Sequence, residues 1–259
     1  MPPAKEGPDE AVCSHGRVAR RRSRDLTLPE NVRIYLLSGT QHAESAFPPT
    51  RTVGAQLNNP TPQANVMRAL LRAVHQWAAE GTAPPPSQIP RLADRTLVAI
   101  KDNTFPSIPT VSDPHQMIGP ARVTGGKVTP LPYLVPQVDA DGNDLAGIRV
   151  PELAVPLATA TGWNFRAPKV GNPGDLYQLL GSYVPFTKTR AERTAQGDTR
   201  LSIEERYKDR DDYLARVRAE AVKLIKGRYL LQEDLDDVMA RATRHWNFAI
   251  AAPQPTPEK

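Results

Sequence analysis

The stretch "NVRIYLLSGTQHAES", residues 31–45, decides how the chain is read. Val32, Ile34, Tyr35, Leu36 and Leu37 are nearly continuous rather than alternating with polar residues, the pattern of a strand buried on both faces in a parallel sheet. Gly39 ends the run, and His42 follows three residues later. Open α/β sheets place their sites just beyond the C-terminal ends of their strands. His42 is therefore either a catalytic base at the mouth of a sheet or an ordinary loop histidine.

Working outward, "NNPTPQANVMRALLRAVHQWAAEG" (58–81) predicts a helix. Thr61 can cap it, Pro62 suits the first position and Gly81 ends it. Val66, Leu70, Val74 and Trp77, with Ala69 and Ala73, fall on one face, and Arg68, Arg72 and Gln76 on the other. Strand, loop and helix make half of a βαβ unit, which calls for further units beside it. Downstream there is instead an extended connector, "APPPSQIP" (83–90). Short extended pieces follow: "RTLVAI", "GGKVTPLPYLV" and "GIRVPELAVPLA". "GDLYQLLGSY" (174–183) reads as the first helix after them. Two more are expected over 211–226, closed by Gly227, and about 232–245. Their inward residues are Leu214, Val217, Ala221, Leu224 and Ile225 on the first, and Leu235, Val238, Met239 and Ala242 on the second. This divides the chain into a disordered basic segment (1–26), a βα unit (27–82), an accessory region of short strands and C-terminal helices (83–246) and a disordered tail (247–259).

Composition narrows the function classes. Prolines number 27 in 259 residues, which disfavours long central strands and helices. Of the net charge of +5, residues 1–24 carry +3, mostly in "RVARRRSR". One terminal run reads as a solvated tail, not as the basic face with interleaved readers that nucleic acid requires. The single cysteine, Cys13, excludes an intramolecular disulfide framework and a thiolate zinc cluster. No run of about 18 apolar residues is present to span a membrane. The start, "MPPAKEGPDE", lacks the apolar core of a secretory signal.

A serine hydrolase of the α/β class needs a G-x-S-x-G turn to lift its serine clear of the sheet. None of Ser14, Ser23, Ser38, Ser45, Ser87, Ser107, Ser112, Ser182 or Ser202 lies in that pattern. Of the histidines, His75 lies mid-helix and His245 near a helix C-terminus, where the dipole favours a cation. His115 lies in a loop and His15 in the basic segment. "QVDADGNDLAG" (137–147) alternates Asp139, Asp141 and Asn143 as a calcium loop does, but valine stands where the bidentate glutamate belongs. Asp-Gly-Asn between extended runs is a hairpin turn. "TGWNFR" (161–166) either lines a pocket or packs Trp163 and Phe165 beneath a loop.

"LPENVRIYLLSGTQHAES", the 58–98 segment, "PQVDADGNDLAGIRVPE", "ATATGWNFR" and "LLGSYVPFTKTRAER" together resemble, in order over about residues 25–246, the C-terminal part of a family of long bacterial α/β-hydrolase-domain proteins. That family is distantly similar to tannase and feruloyl-esterase-like enzymes. The resemblance implies an α/β fold: the last parallel strand, a His loop and a closing helix, followed by the Pro-rich accessory region and two C-terminal helices. It implies carboxylic-ester hydrolysis of a small-molecule ester by a Ser-His-acid triad, with no metal and no organic cofactor. His42 matches the triad base. Chain order in this fold runs serine, acid, histidine, so both partners would precede residue 25. Arg95 stands where the family pattern suggests a turn glycine. The expected product is a hydrolase fragment whose 32–37 strand lacks its sheet, exposes unpaired backbone and gives poor solubility or partial disorder. The alternative is a non-enzymatic accessory or interaction module, or an inactive truncated product. Oligomeric state and compartment stay open: cytoplasmic by default, with a parent that could be exported.

Overall fold

The computed structural model describes residues 12–14, 17–19, 24–112, 121–130, 133–177 and 179–251. Along the chain run β1 (Val12–Ser14), β2 (Arg17–Ala19), β3 (Leu57–Asn58), α1 (Ala64–Glu80), β4 (Leu97–Ala99), β5 (Ala121–Thr124), β6 (Lys127–Pro130) and β7 (Leu134–Pro136). Then come α2 (Pro151–Ala154), β8 (Ala158–Thr161), β9 (Asn164–Phe165), β10 (Leu176–Tyr177), β11 (Ser182–Pro185), α3 (Arg190–Gln196), α4 (Ile203–Arg206), α5 (Arg210–Lys226) and α6 (Leu235–Ala251). The architecture is mixed α and β, with small sheets and long flanking helices. The named strands all pair antiparallel, in the orders β1-β2-β7-β4, β3-β11-β8, β9-β10 and β5-β6. The expected disordered segment 1–26 and tail 247–259 fall largely outside the described residues; α6 runs on to Ala251.

Residues 31–38 depart from expectation. They are flanked on both sides by parallel bridges, Tyr35 to Gln88 and Leu37 to Ile148. The Leu36 N–H donates to the Gln88 carbonyl (2.8 Å) and the Gln88 N–H to that of Ile34 (3.0 Å). On the other edge the Ser38 N–H donates to Ile148 (3.1 Å) and the Ile148 N–H to Leu36 (2.7 Å). The ribbon's backbone is therefore paired by later parts of the same chain, which corrects the expectation of an exposed, unpaired strand. Its side chains from Val32 to Leu37 are half-buried rather than buried on both faces, because only single extended segments lie beside it. The connector is gripped by two phenols: Tyr35 donates to the Pro85 carbonyl (2.6 Å) and Tyr229 to that of Pro86 (2.7 Å).

α1 ends as expected, with Gly81 left-handed (φ +71°) and its N–H donating to Trp77. Its start lies two residues beyond the Thr61–Pro62 reading, with Gln63 as cap, and Asn59 Oδ1 captures both the N–H and the hydroxyl of Thr61. Val66, Ala69 and Ala73 are buried, whereas Val74 faces outward with Met67 and Leu71. The inward face packs with Tyr35, Leu37, Ile148, Val150, Leu153, Ala160 and Tyr229 in one cluster. "GDLYQLLGSY" is not a helix. Leu176–Tyr177 pairs with β9, Ser182–Pro185 is the central strand between β3 and β8, and Gly181 lies against the Thr161 carbonyl too closely for any side chain. Cross-strand pairing outweighs local helix propensity there.

Both C-terminal helices form, α5 over Arg210–Lys226 close to the reading and α6 over Leu235–Ala251, which starts three residues later and ends six residues later than the expected 232–245. Val217, Ala221, Val238 and Ala242 are fully inside, joined by Tyr213, Phe186, Ile203 and Tyr207. Asp209 caps α5 by accepting from the Asp212 N–H (2.9 Å). Thr189 and Glu192 form a reciprocal capping box on α3. Beneath the sheet, the buried Arg200 guanidinium binds Asp198 (2.6 Å), the Thr159 hydroxyl (2.8 Å) and the Val184 carbonyl (2.9 Å). Among the described residues no helix is long and apolar enough to cross a membrane.

Candidate active site

His42 stands at the end of the 31–38 ribbon, on a loop that turns at Gly39 with φ +61°. A Cβ at Gly39 would lie 2.8 Å from the Ala160 carbonyl, so both the backbone angle and the space demand glycine. The loop is held at nearly every residue. The Gly39 N–H donates to Asp144 Oδ2 (2.8 Å), and Asn59 Nδ2 donates to the Gly39 carbonyl (2.6 Å). The Thr40 hydroxyl donates to Leu37 (2.7 Å), and Gln41 Nε2 to the Asn59 carbonyl (2.8 Å). Gln63 Nε2 donates to the Gln41 carbonyl (2.6 Å), tying the loop to the start of α1. The Ala43 and Ser45 N–H groups donate to the carbonyls of Leu179 (3.4 Å) and Asn59 (3.3 Å).

On this fixed support the His42 side chain is exposed, and among the described residues its imidazole makes no hydrogen bond or ion pair. The arrangement presents the imidazole outward from a backbone held by hydrogen bonds to several other segments. Burial pushes the Asp144 carboxyl above its ordinary range, opposed by the Gly39 N–H and by Arg149. Asp144 reaches the loop through its backbone and not through the imidazole.

The serines described near the core carry other duties. Ser38, Ser182 and Ser202 are buried, and their hydroxyls donate to Ala146, Trp163 and Glu205 respectively. Ser87 accepts from the Ile34 N–H. None of these four hydroxyls is hydrogen-bonded to His42.

His75 is exposed on α1, and His15 and His115 lie outside the described residues. His245 is not the cationic helix terminus that its position suggested. α6 continues six residues past it, and the ring is 4% exposed, stacked 4.3 Å from Phe47. Burial lowers its pKa to about 4, partly offset by Glu152. Asp141-Gly142-Asn143 is the expected turn: Gly142 has φ +78°, Asp139 Oδ1 accepts from the Asp141 and Asn143 N–H groups, and Val138 bridges Asp144. Arg95 adopts φ +59°, the conformation for which a glycine was expected. Trp163 packs against both Phe105 and Phe165.

Sequence reading missed two fully buried asparagines, Asn59 and Asn164, and read a third, Asn143, only as part of a turn. Asn143 accepts from the Ala160 N–H (2.8 Å), and Asn164 donates to Gly181 (3.1 Å) and accepts from the Gln56 N–H (3.2 Å). Each satisfies backbone groups that the short strands leave open. The signal in the sequence was an asparagine flanked by strand-forming or turn residues, too common to single out.

A family model described as an alpha/beta hydrolase domain matches residues 9–240. No curated protein and no solved structure matches the chain.

Proposed function

The chain belongs to the alpha/beta hydrolase domain family, and from that premise we propose that His42 is the triad base of a carboxylic-ester hydrolase acting on a small-molecule ester. Its imidazole takes the proton from an attacking serine and returns it to the leaving alcohol. The serine and the orienting acid are supplied from outside these 259 residues, because no G-x-S-x-G occurs in them. The observation that carries this reading is the pairing of an outward imidazole with a loop whose backbone is bonded from Gly39 to Ser45.

Two experiments test it. The coding sequence upstream of Met1 should hold a G-x-S-x-G followed by an acidic residue. The 259-residue chain alone should hydrolyse a short-chain aryl ester no faster than free imidazole does; saturable turnover by the isolated chain would contradict a nucleophile supplied from outside.

One observation favours a second reading, a non-enzymatic interaction module. The 31–38 ribbon is paired on both edges within the chain, and its side chains share a core with residues 148–160 and Tyr229. Unrelated coding sequence upstream of Met1 would favour that module.

A further inference from the structure

Asn59 is wholly buried at the end of β3, and its polar atoms converge on the His42 loop. Nδ2 donates to the carbonyl of Gly39 (2.6 Å) and to that of Thr161 (3.0 Å) on β8. Oδ1 accepts from the N–H (2.9 Å) and the hydroxyl (2.6 Å) of Thr61. The main-chain carbonyl accepts from Gln41 Nε2 (2.8 Å) and from the Ser45 N–H (3.3 Å), while the N–H donates to Gly181 (3.3 Å). One residue thus joins three loop positions on either side of His42 to β8, to Gly181 just before β11 and to the entrance of α1.

The chemistry requires an amide. A buried side chain that must donate twice to carbonyls and accept from an N–H and a hydroxyl is matched by asparagine, whereas aspartate would set a carboxylate oxygen against the Gly39 and Thr161 carbonyls. Space is equally restrictive: a Cβ at Gly181 would lie 2.9 Å from the Asn59 Cβ. A merely structural asparagine, such as Asn143 on Ala158 and Ala160, serves strand backbone alone.

We propose that Asn59 is the positioning residue for His42, fixing the loop that presents the imidazole; this rests on the reading of His42 as the base. It acts through the Gly39 carbonyl, the Gln41 side chain and the Ser45 amide, and touches neither substrate nor imidazole.

The test is amide hydrogen exchange on the full chain, read at Gly39, Ala43 and Ser45, with relaxation of the His42 imidazole carbons measured alongside. In N59D these three amides should exchange about ten- to a hundredfold faster relative to the slowest core amides, and the ring should gain mobility. V217A, which loosens the remote helical core, is the comparison. It lowers global stability and should leave the loop-to-core ratio unchanged. An unchanged ratio and ring mobility in N59D would overturn the assignment. Should N59D fail to fold, Q41M removes only the Gln41 contact to the Asn59 carbonyl, and the same acceleration at Ala43 and Ser45 is expected. Loss of protection at Gly39 and Ser45 in the unaltered chain would also overturn it. The readout needs no turnover, so a failure of His42 as a base and a failure of Asn59 as its support are distinguishable.

Discussion

His245→Phe should flatten the pH dependence of stability between about pH 7 and pH 4.5, the range in which an ordinary imidazole takes up its proton. The His245 ring is held neutral in the folded chain, with its pKa lowered to about 4 by burial from an ordinary 6.5. Below pH 6.5 the unfolded chain binds a proton there that the folded chain refuses until about pH 4. The unfolded state thus binds more protons across that window, and stability falls as pH falls through it. At 1.36 kcal/mol per pH unit the whole interval is worth about 3 kcal/mol, most of it lost above pH 4.5. Phenylalanine keeps a ring against Phe47 and leaves no group to titrate. Urea unfolding at pH 7 and pH 4.5 should show a drop for the unaltered chain that exceeds that of His245→Phe by about 2 kcal/mol. Equal drops in the two proteins would refute the reasoning.

Other outcomes follow from particular contacts. Gly39→Ala meets both a left-handed φ and the Ala160 carbonyl at 2.8 Å, so it should cost about 2 kcal/mol or more in urea unfolding. Arg200→Met leaves the buried Asp198 carboxylate uncompensated and should destabilise by about 3–5 kcal/mol, seen as a lowered urea midpoint. Thr189→Ala removes one half of the α3 capping box and should cost about 1 kcal/mol, with helix content otherwise kept by circular dichroism. Glu205, whose pKa is lowered to about 2 by the Ser202 N–H and hydroxyl and then by Arg193, stabilises the fold above its unfolded pKa. That contribution fades as pH falls from about 4.5 toward 2, and Glu205→Gln should abolish this acid-side slope.

Long-period patterns were legible. α5 and α6 were readable because Val217, Ala221, Val238 and Ala242 repeat at helical spacing, and these residues are the most buried of their helices. The same spacing on α1 misplaced Val74, since Ala69 and Ala73 admit closer packing and rotate the helix's inward stripe away from it. Two-residue strands such as Leu57–Asn58 and Leu176–Tyr177 carry no period at all, and long-range partners define them. For the site, the ribbon's end and His42 were visible from the glycine and the apolar run. The support beneath them was not, because Asn59 and Gln63, Asp144, and Leu179 come from three separate segments and meet only in the fold.

The most direct measurement is kcat/KM for a short-chain aryl ester, taken on a longer polypeptide that includes the coding sequence upstream of Met1, with His42 intact and as His42→Ala. Loss of the base should lower turnover by about 10⁴-fold or more, with the fold unchanged by circular dichroism. A His42→Ala protein that retains turnover within twofold would contradict the account.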